Sequence, residues 1–140
     1  MAGNRSRQGP PRGAVALVLG AVLLVAAIAL ITRPASAHHP QPRAAITGAE
    51  VVDAARYQGY PRVAETYRMA AEIAGVLDGL HCYCECNQHS DHYSLLDCFR
   101  SDHGAACDIC LTEAQIAYRM TKEGKSLDEI RAAIDELYGG

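Results

Sequence analysis

Three thiols stand within five residues at Cys82-Tyr83-Cys84-Glu85-Cys86, and this stretch constrains the chain more than any other. The remaining cysteines, Cys98, Cys107 and Cys110, follow within twenty-four residues, so all six lie in a window of twenty-nine. Thiols concentrated in this way act together. A disulfide inside a Cys-x-Cys pair is strained, because the loop is too short for relaxed torsions. A soft ion has no such difficulty and gathers neighbouring thiolates on arms of about 2.3 Å. In an extended segment all three thiols would point the same way, whereas in a helix Cys82 and Cys86 would share a face and Cys84 would not. Asp78-Gly79 before the triplet and Asn87-Gln88 after it are turn and helix-stop residues, so a loop is expected, with the triplet as ligands.

The chain before this window divides by composition. Residues 1–12 carry Arg5, Arg7 and Arg12 and no acid, residues 14–31 are an unbroken apolar run, and Arg33-Pro34 and Ala35-Ser36-Ala37 follow. Residues 1–37 read either as a signal peptide cut after the Ala-x-Ala at Ala37 or as an uncleaved membrane anchor, the apolar run being near the length that spans a bilayer. Both place the remainder outside the cytoplasm, because the arginines stay inside. After Ala37 the chain carries nine Lys and Arg against sixteen Asp and Glu, a net of −7. No basic patch interleaved with aromatics is present, which argues against a nucleic-acid partner. The acidity reads first as a solvated surface.

Residues 38–46, with prolines at 40 and 42, read as a linker. His38-His39 could bind an ion at a freed N-terminus, but such a pair is more often simply solvated. Residues 47–140 then form one small helical domain. Thr47 with Glu50 suggests a capped short helix ending by Gly59. Pro61 opens an amphipathic helix of about four turns through Val63, Tyr67, Ala70, Ala74 and Leu77. After the cysteine loop, residues 93–100 suit a short helix packed by Leu95, Leu96 and Phe99, with Cys98 beside them; a buried structural cysteine is the plain reading there. Cys107-x-x-Cys110 opens a helix that stops at Gly124, and thiols in a first helical turn become better thiolates. Ser126 and Glu129 form a capping box for a last helix with Leu127, Ile130, Ile134 and Leu137 on its apolar face. No strand pair is evident, and the expected fold is all-α, a small bundle of four or five helices with the cysteine loop against two helix ends, preceded by one N-terminal apolar helix.

These residues resemble the PCYCGC-motif family of small exported bacterial proteins. The motif stands here as His81-Cys82-Tyr83-Cys84-Glu85-Cys86. The likeness continues through His92-Tyr93-Ser94-Leu95-Leu96-Asp97-Cys98-Phe99, Asp102-His103-Gly104, Cys107-x-x-Cys110, Gly124-Lys125-Ser126-Leu127 and the closing Ile134-Asp135-x-x-Tyr138, a motif core over residues 80–138. The family is largely uncharacterised, so the resemblance implies export and little mechanism. His81 replaces the family's proline, Glu85 replaces its glycine, and no cysteine follows the leader to carry a lipid. The last departure favours the anchor over a lipoprotein.

The function expected first is metal binding without catalysis, most readily of Cu(I), with zinc in a closed thiolate site as the other ion. Cys82, Cys84, Cys86, Cys107 and Cys110 are the first ligands expected and Cys98 the next, with His92 and His103 binding or orienting the site. The role would be sequestration, buffering or delivery outside the membrane, with a metal-donating or metal-accepting exported protein as partner and residues 14–31 as the membrane contact if they are retained. Two other readings stay open. Six cysteines in an exported domain can pair as three disulfides and staple an interaction module. Cys107 and Cys110 can also form a thiol–disulfide oxidoreductase pair, although no βαβ context frames them. Tyr83 reads as an aromatic packed on helices rather than a shield for the thiols, and Glu85 as solvent-facing.

Overall fold

Proline fixes where the first helix begins. Its locked φ suits the first helical position and its missing N–H is one that a helix start leaves unused; Pro61 holds that place in α1, Pro61–Glu72. The computed structural model describes residues 39–139, and among them six α-helices and three 3-10 turns account for the regular structure, with no strand. The helices after α1 are α2 Ala74–Leu77, α3 Cys86–His89, α4 Leu95–Phe99, α5 Asp108–Lys122 and α6 Leu127–Tyr138. The helical class expected from the sequence is the one observed. The N-terminal apolar helix, residues 14–31 and the boundary near Ala37 lie outside the described residues. Among the described residues no helix is long and apolar enough to cross a membrane.

Two elements differ from expectation. The helix expected from Thr47 is instead a pair of 3-10 turns, Gly48–Glu50 and Ala54–Tyr57, capped by the side chains of Thr47 and Asp53, which accept from the amides of Ala49 and Ala55. Val51 and Val52 separate the turns in extended backbone, and the Val52 amide leaves the local chain to bond the Phe99 carbonyl at 3.0 Å. Gly48 is required here, because a Cβ would fall 2.2 Å from the Ala71 carbonyl oxygen. The single four-turn helix expected from Pro61 is broken at Ile73, whose φ of −119° and ψ of 28° are not helical. The amides of Val76 and Leu77 turn back onto the Ile73 carbonyl, so Ile73, Ala74 and Leu77 are all buried.

The later helices begin and end on local chemistry. Ser126 and Glu129 form the reciprocal capping box of α6. Arg119 and Lys122 occupy the last turn of α5, where the negative end of the helix favours them. Gly124 follows at φ 77°, and the Lys125 amide reaches back to the Met120 carbonyl at 3.0 Å, a left-handed stop that glycine adopts without steric cost.

Helix α1 packs against α5 and the second 3-10 turn, and α5 packs against α6. Between them Tyr67, Leu77, Leu80, Leu95, Leu96, Phe99, Ile130 and Ile134 are fully or almost fully buried, in one cluster that also contains Cys82, Cys86, Cys98 and Cys110. Tyr67 contacts Tyr57 and the edge of Phe99, with ring centroids 4.4 and 5.0 Å away, and its hydroxyl donates to the Ser101 carbonyl.

The stretch expected to be a linker is tied to the domain from His39 onward. The Arg43 backbone and guanidinium bond Asp78, which is wholly buried and also receives the Ser94 hydroxyl; the guanidinium reaches Asp97 as well. Burial pushes the Asp78 carboxyl up, but these donors outweigh it and hold the group below the usual carboxylate range. Arg131 donates to the Pro40 and Gly79 carbonyls. The His39 side chain is nearly covered: its Nε2 pairs with Asp135 at 2.8 Å and its Nδ1 accepts the His81 amide at 2.9 Å, so it is not the solvated histidine its sequence position suggests.

Candidate metal centre

The loop after α2 is stitched in place by the Leu95 amide, which bonds the Leu80 carbonyl. Cys82 follows, and a turn closed by the Glu85 amide on the Cys82 carbonyl doubles the chain back. Glu85 then takes φ 59° and ψ 31°, a left-handed conformation, and Cys86 opens α3. The three thiols converge because of this turn and not because the segment is extended: Cys82 Sγ lies 3.3 Å from Cys84 Sγ and 3.8 Å from Cys86 Sγ.

Two further helices deliver sulfur to the same point. Cys98 comes from α4, where Leu95, Leu96 and Phe99 hold the helix to the core, and Cys110 comes from the first turn of α5. Cys98 Sγ is 3.5 Å from Cys86 and 3.7 Å from Cys82, while Cys110 Sγ is 3.4 Å from Cys82 and 3.5 Å from Cys84. Two imidazoles complete the group. His103 Nε2 lies 3.0 Å from Cys86 Sγ and 4.0 Å from Cys84 Sγ, and His92 Nδ1 lies 3.3 Å from Cys98 Sγ. A tetrahedron with arms of about 2.3 Å has edges of about 3.8 Å, and these sulfurs, 3.3–3.8 Å apart, stand at or slightly inside that spacing.

Three sets of four donors lie within 4.8 Å of one another: Cys82, Cys86, Cys98 and Cys110; Cys84, Cys86, His103 and Cys110; and Cys86, His92, Cys98 and His103. These groups can hold a metal ion. Of the eight residues expected from the sequence, seven fall in these sets. Cys107 falls in none of them; it stands at the N-cap of α5, where its sulfur accepts the Cys110 amide at 3.5 Å. All six cysteines are free thiols.

Burial and neighbouring sulfurs raise four of the thiols, Cys82, Cys84, Cys98 and Cys110, above the ordinary cysteine range. The Cys82 thiol is pushed up by its contact with Cys110 and by burial, the Cys98 contact opposing. In Cys98 and Cys110 one lowering sulfur contact, with Cys110 and Cys82 respectively, is outweighed by a second thiol and by burial, so both rise. Burial and Cys86 raise Cys84 as well. Burial lowers His92, helped by His103. An ion entering the site displaces protons from the thiols it binds, so uptake is coupled to proton release.

Two residues at the centre escaped the sequence. Glu113 is completely buried one turn after Cys110. Its Oε1 accepts the Tyr83 amide at 3.0 Å and its Oε2 has no hydrogen bond among the described residues. Burial raises its carboxyl to about 7, against the pull of the Tyr83 amide and the Cys82 thiol. The i, i+3 spacing from Cys110 was the signal that could have found it. His89, in the last turn of α3, is exposed and lies with its ring 6.1 Å from that of His103. The other readings at the motif are plain. Tyr83 packs on α6, stacked on Tyr138 at 5.8 Å and donating its hydroxyl to Asp135, and Glu85 is exposed.

A family model described as a protein of unknown function with PCYCGC motif matches residues 45–140. No curated protein and no solved structure matches the chain. The chain belongs to the PCYCGC-motif family.

Proposed function

We propose that this member of the PCYCGC-motif family is a thiolate-rich metal-binding protein that sequesters, buffers or delivers Cu(I) outside the cytoplasmic membrane. The observation that carries the reading is the convergence of five sulfurs and two imidazoles, with neighbouring donor atoms 3.0–4.0 Å apart, from four separate stretches of chain. Soft thiolates gathered in the buried core select a soft ion, and a closed sulfur tetrahedron also suits zinc. The compartment rests on the arginine-bearing start and the apolar run at residues 14–31. An exported protein that donates or accepts the ion is the partner this role calls for.

The test is metal titration with thiol counting on the full-length chain, purified in detergent under anaerobic conditions without added reductant. Stoichiometric uptake of Cu(I) or Zn(II), with thiols shielded from alkylation until a chelator is added, supports the reading, and competition between the two ions decides which is held. Six cysteines paired as disulfides with no ion taken up would overturn it in favour of a stapled module. A single reactive Cys107–Cys110 pair with insulin-reducing activity would overturn it in favour of an oxidoreductase. A reporter fused after Gly140 that is active only in the cytoplasm would refute the compartment.

A further inference from the structure

Cys86 is the one residue common to all three sets of mutually adjacent donors. It is fully buried at the start of α3 and touches Cys82, Cys98 and His103 within 3.8 Å. We propose that the centre holds two soft ions that share sulfur, with the Cys86 and Cys110 thiolates as bridges. This rests on the metal-binding reading above and specifies how that site is filled.

The donor count leads there. One tetrahedral ion uses at most four donors. Placed among Cys82, Cys86, Cys98 and Cys110, it leaves Cys84 only 3.3 Å from Cys82 and 3.5 Å from Cys110, and leaves His103 only 3.0 Å from Cys86, all without an ion of their own. The second set, Cys84, Cys86, His103 and Cys110, meets the first along Cys86 and Cys110. A thiolate sulfur has lone pairs enough to bind two ions at once, so this shared edge can serve both.

The third set cannot be filled at the same time as the second. They share His103, and a ring nitrogen offers a single lone pair. Filling the first and third sets instead would strand Cys84. Filling the first and second uses every sulfur of the cluster and leaves His92 free, with its Nδ1 3.3 Å from Cys98 Sγ, where the ring N–H can donate to a bound thiolate and orient it.

The two positions differ in exposure. Every donor of the inner set is buried, whereas Cys84 and His103 of the outer set are half-exposed, and the exposed His89 ring lies beside His103. The inner ion is therefore the retained one and the outer ion the one that exchanges with a partner or chelator.

The experiment loads the full-length chain anaerobically with Cu(I), and separately with Zn(II), and reads ions per chain by elemental analysis and native mass spectrometry. X-ray absorption then reads the neighbours of each ion. Two ions per chain are expected, with a metal–metal distance no greater than about 4.6 Å, twice the ~2.3 Å arm to a shared sulfur. In Cys84→Ala/His103→Ala, which changes only half-exposed positions, the count falls to one, the metal–metal signal disappears and the remaining ion has sulfur neighbours alone. In the unaltered chain a chelator removes one ion at least tenfold faster than the other. A single ion on four sulfurs at saturation would overturn this proposal and leave the metal-binding reading standing; no ion at all would overturn both. An unchanged count in the double variant would also overturn it.

Discussion

Glu85 occupies a backbone position that its side chain resists. At φ 59° and ψ 31° an L-residue carries a steric cost of about 1–2 kcal/mol that glycine avoids. The family's motif has glycine at this place, which the geometry explains. Glycine loses about 0.5–1 kcal/mol more in chain entropy, so Glu85→Gly should leave the metal-free domain more stable by roughly 0.5 kcal/mol, and Glu85→Val, whose branched side chain tolerates this region worst, less stable by more than that. Urea unfolding of the two variants in reducing buffer checks the sign of each. His39 sets a second expectation. Burial lowers its pKa despite Asp135, with Arg131 and His81 adding to the fall, and its Nδ1 must stay unprotonated to accept the His81 amide. The folded pKa lies below the unfolded value, so the stability tied to His39 is complete above about pH 6.5 and is lost as the pH falls from there through the folded pKa. His81 and His92 shift the same way and add to the slope. Glu113, whose folded carboxyl is raised to about 7, gains stability over the same fall and opposes the histidines, so the sign is read by difference. Between pH 7.5 and 5.5 His39→Gln should gain stability relative to wild type as the pH falls, by urea unfolding at each pH.

Helix ends were the most legible elements, because their signals are local. Ser126 with Glu129, Pro61 and Gly124 each announce a boundary through a neighbour within four residues, and each boundary is where those residues place it. The break at Ile73 was hidden, since residues spaced by three and four satisfy one helix or two helices meeting at a turn equally well. The Cys98 side chain shows the same limit at the centre: its apolar neighbours mark burial, but no local pattern says that its sulfur faces Cys86 and Cys82. Glu113 and His89 were missed for that reason too, both depending on how α5 and α3 meet other elements. Cys107 turns this into a prediction. Its sulfur caps α5 by accepting the Cys110 amide, and serine is a stronger cap than most residues at that position. Cys107→Ser should bind as many ions as wild type and unfold at the same or slightly higher denaturant concentration. A lost ion would make Cys107 a ligand.

At the scale of the whole molecule, the core and the candidate centre are one volume. Cys82, Cys86, Cys98 and Cys110 belong to the same buried cluster as Leu80, Leu95, Leu96 and Phe99, and they join the motif loop, α3, α4 and α5 at a single point. In the metal-free protein these sulfurs meet only through weak thiol contacts and burial. An ion replaces those contacts with bonds that tie four separate stretches together, so loading and folding draw on the same interactions. An ion that binds the folded chain at a free concentration a hundred times its Kd adds about 2.7 kcal/mol. For a domain of this size each kcal/mol moves the midpoint by about 4–8 °C, so loading should raise Tm by about 10–20 °C over the chelated, reduced protein. Calorimetry at several free-ion concentrations checks this, because Tm must climb with the logarithm of that concentration. Uptake without a rise in Tm would mean that the unfolded chain binds the ion as well as the folded one, and that the arrangement of the five sulfurs by the fold contributes nothing to affinity. Cys86→Ser should flatten the climb most, because that sulfur alone belongs to every donor set, whereas Cys107→Ser should leave it intact.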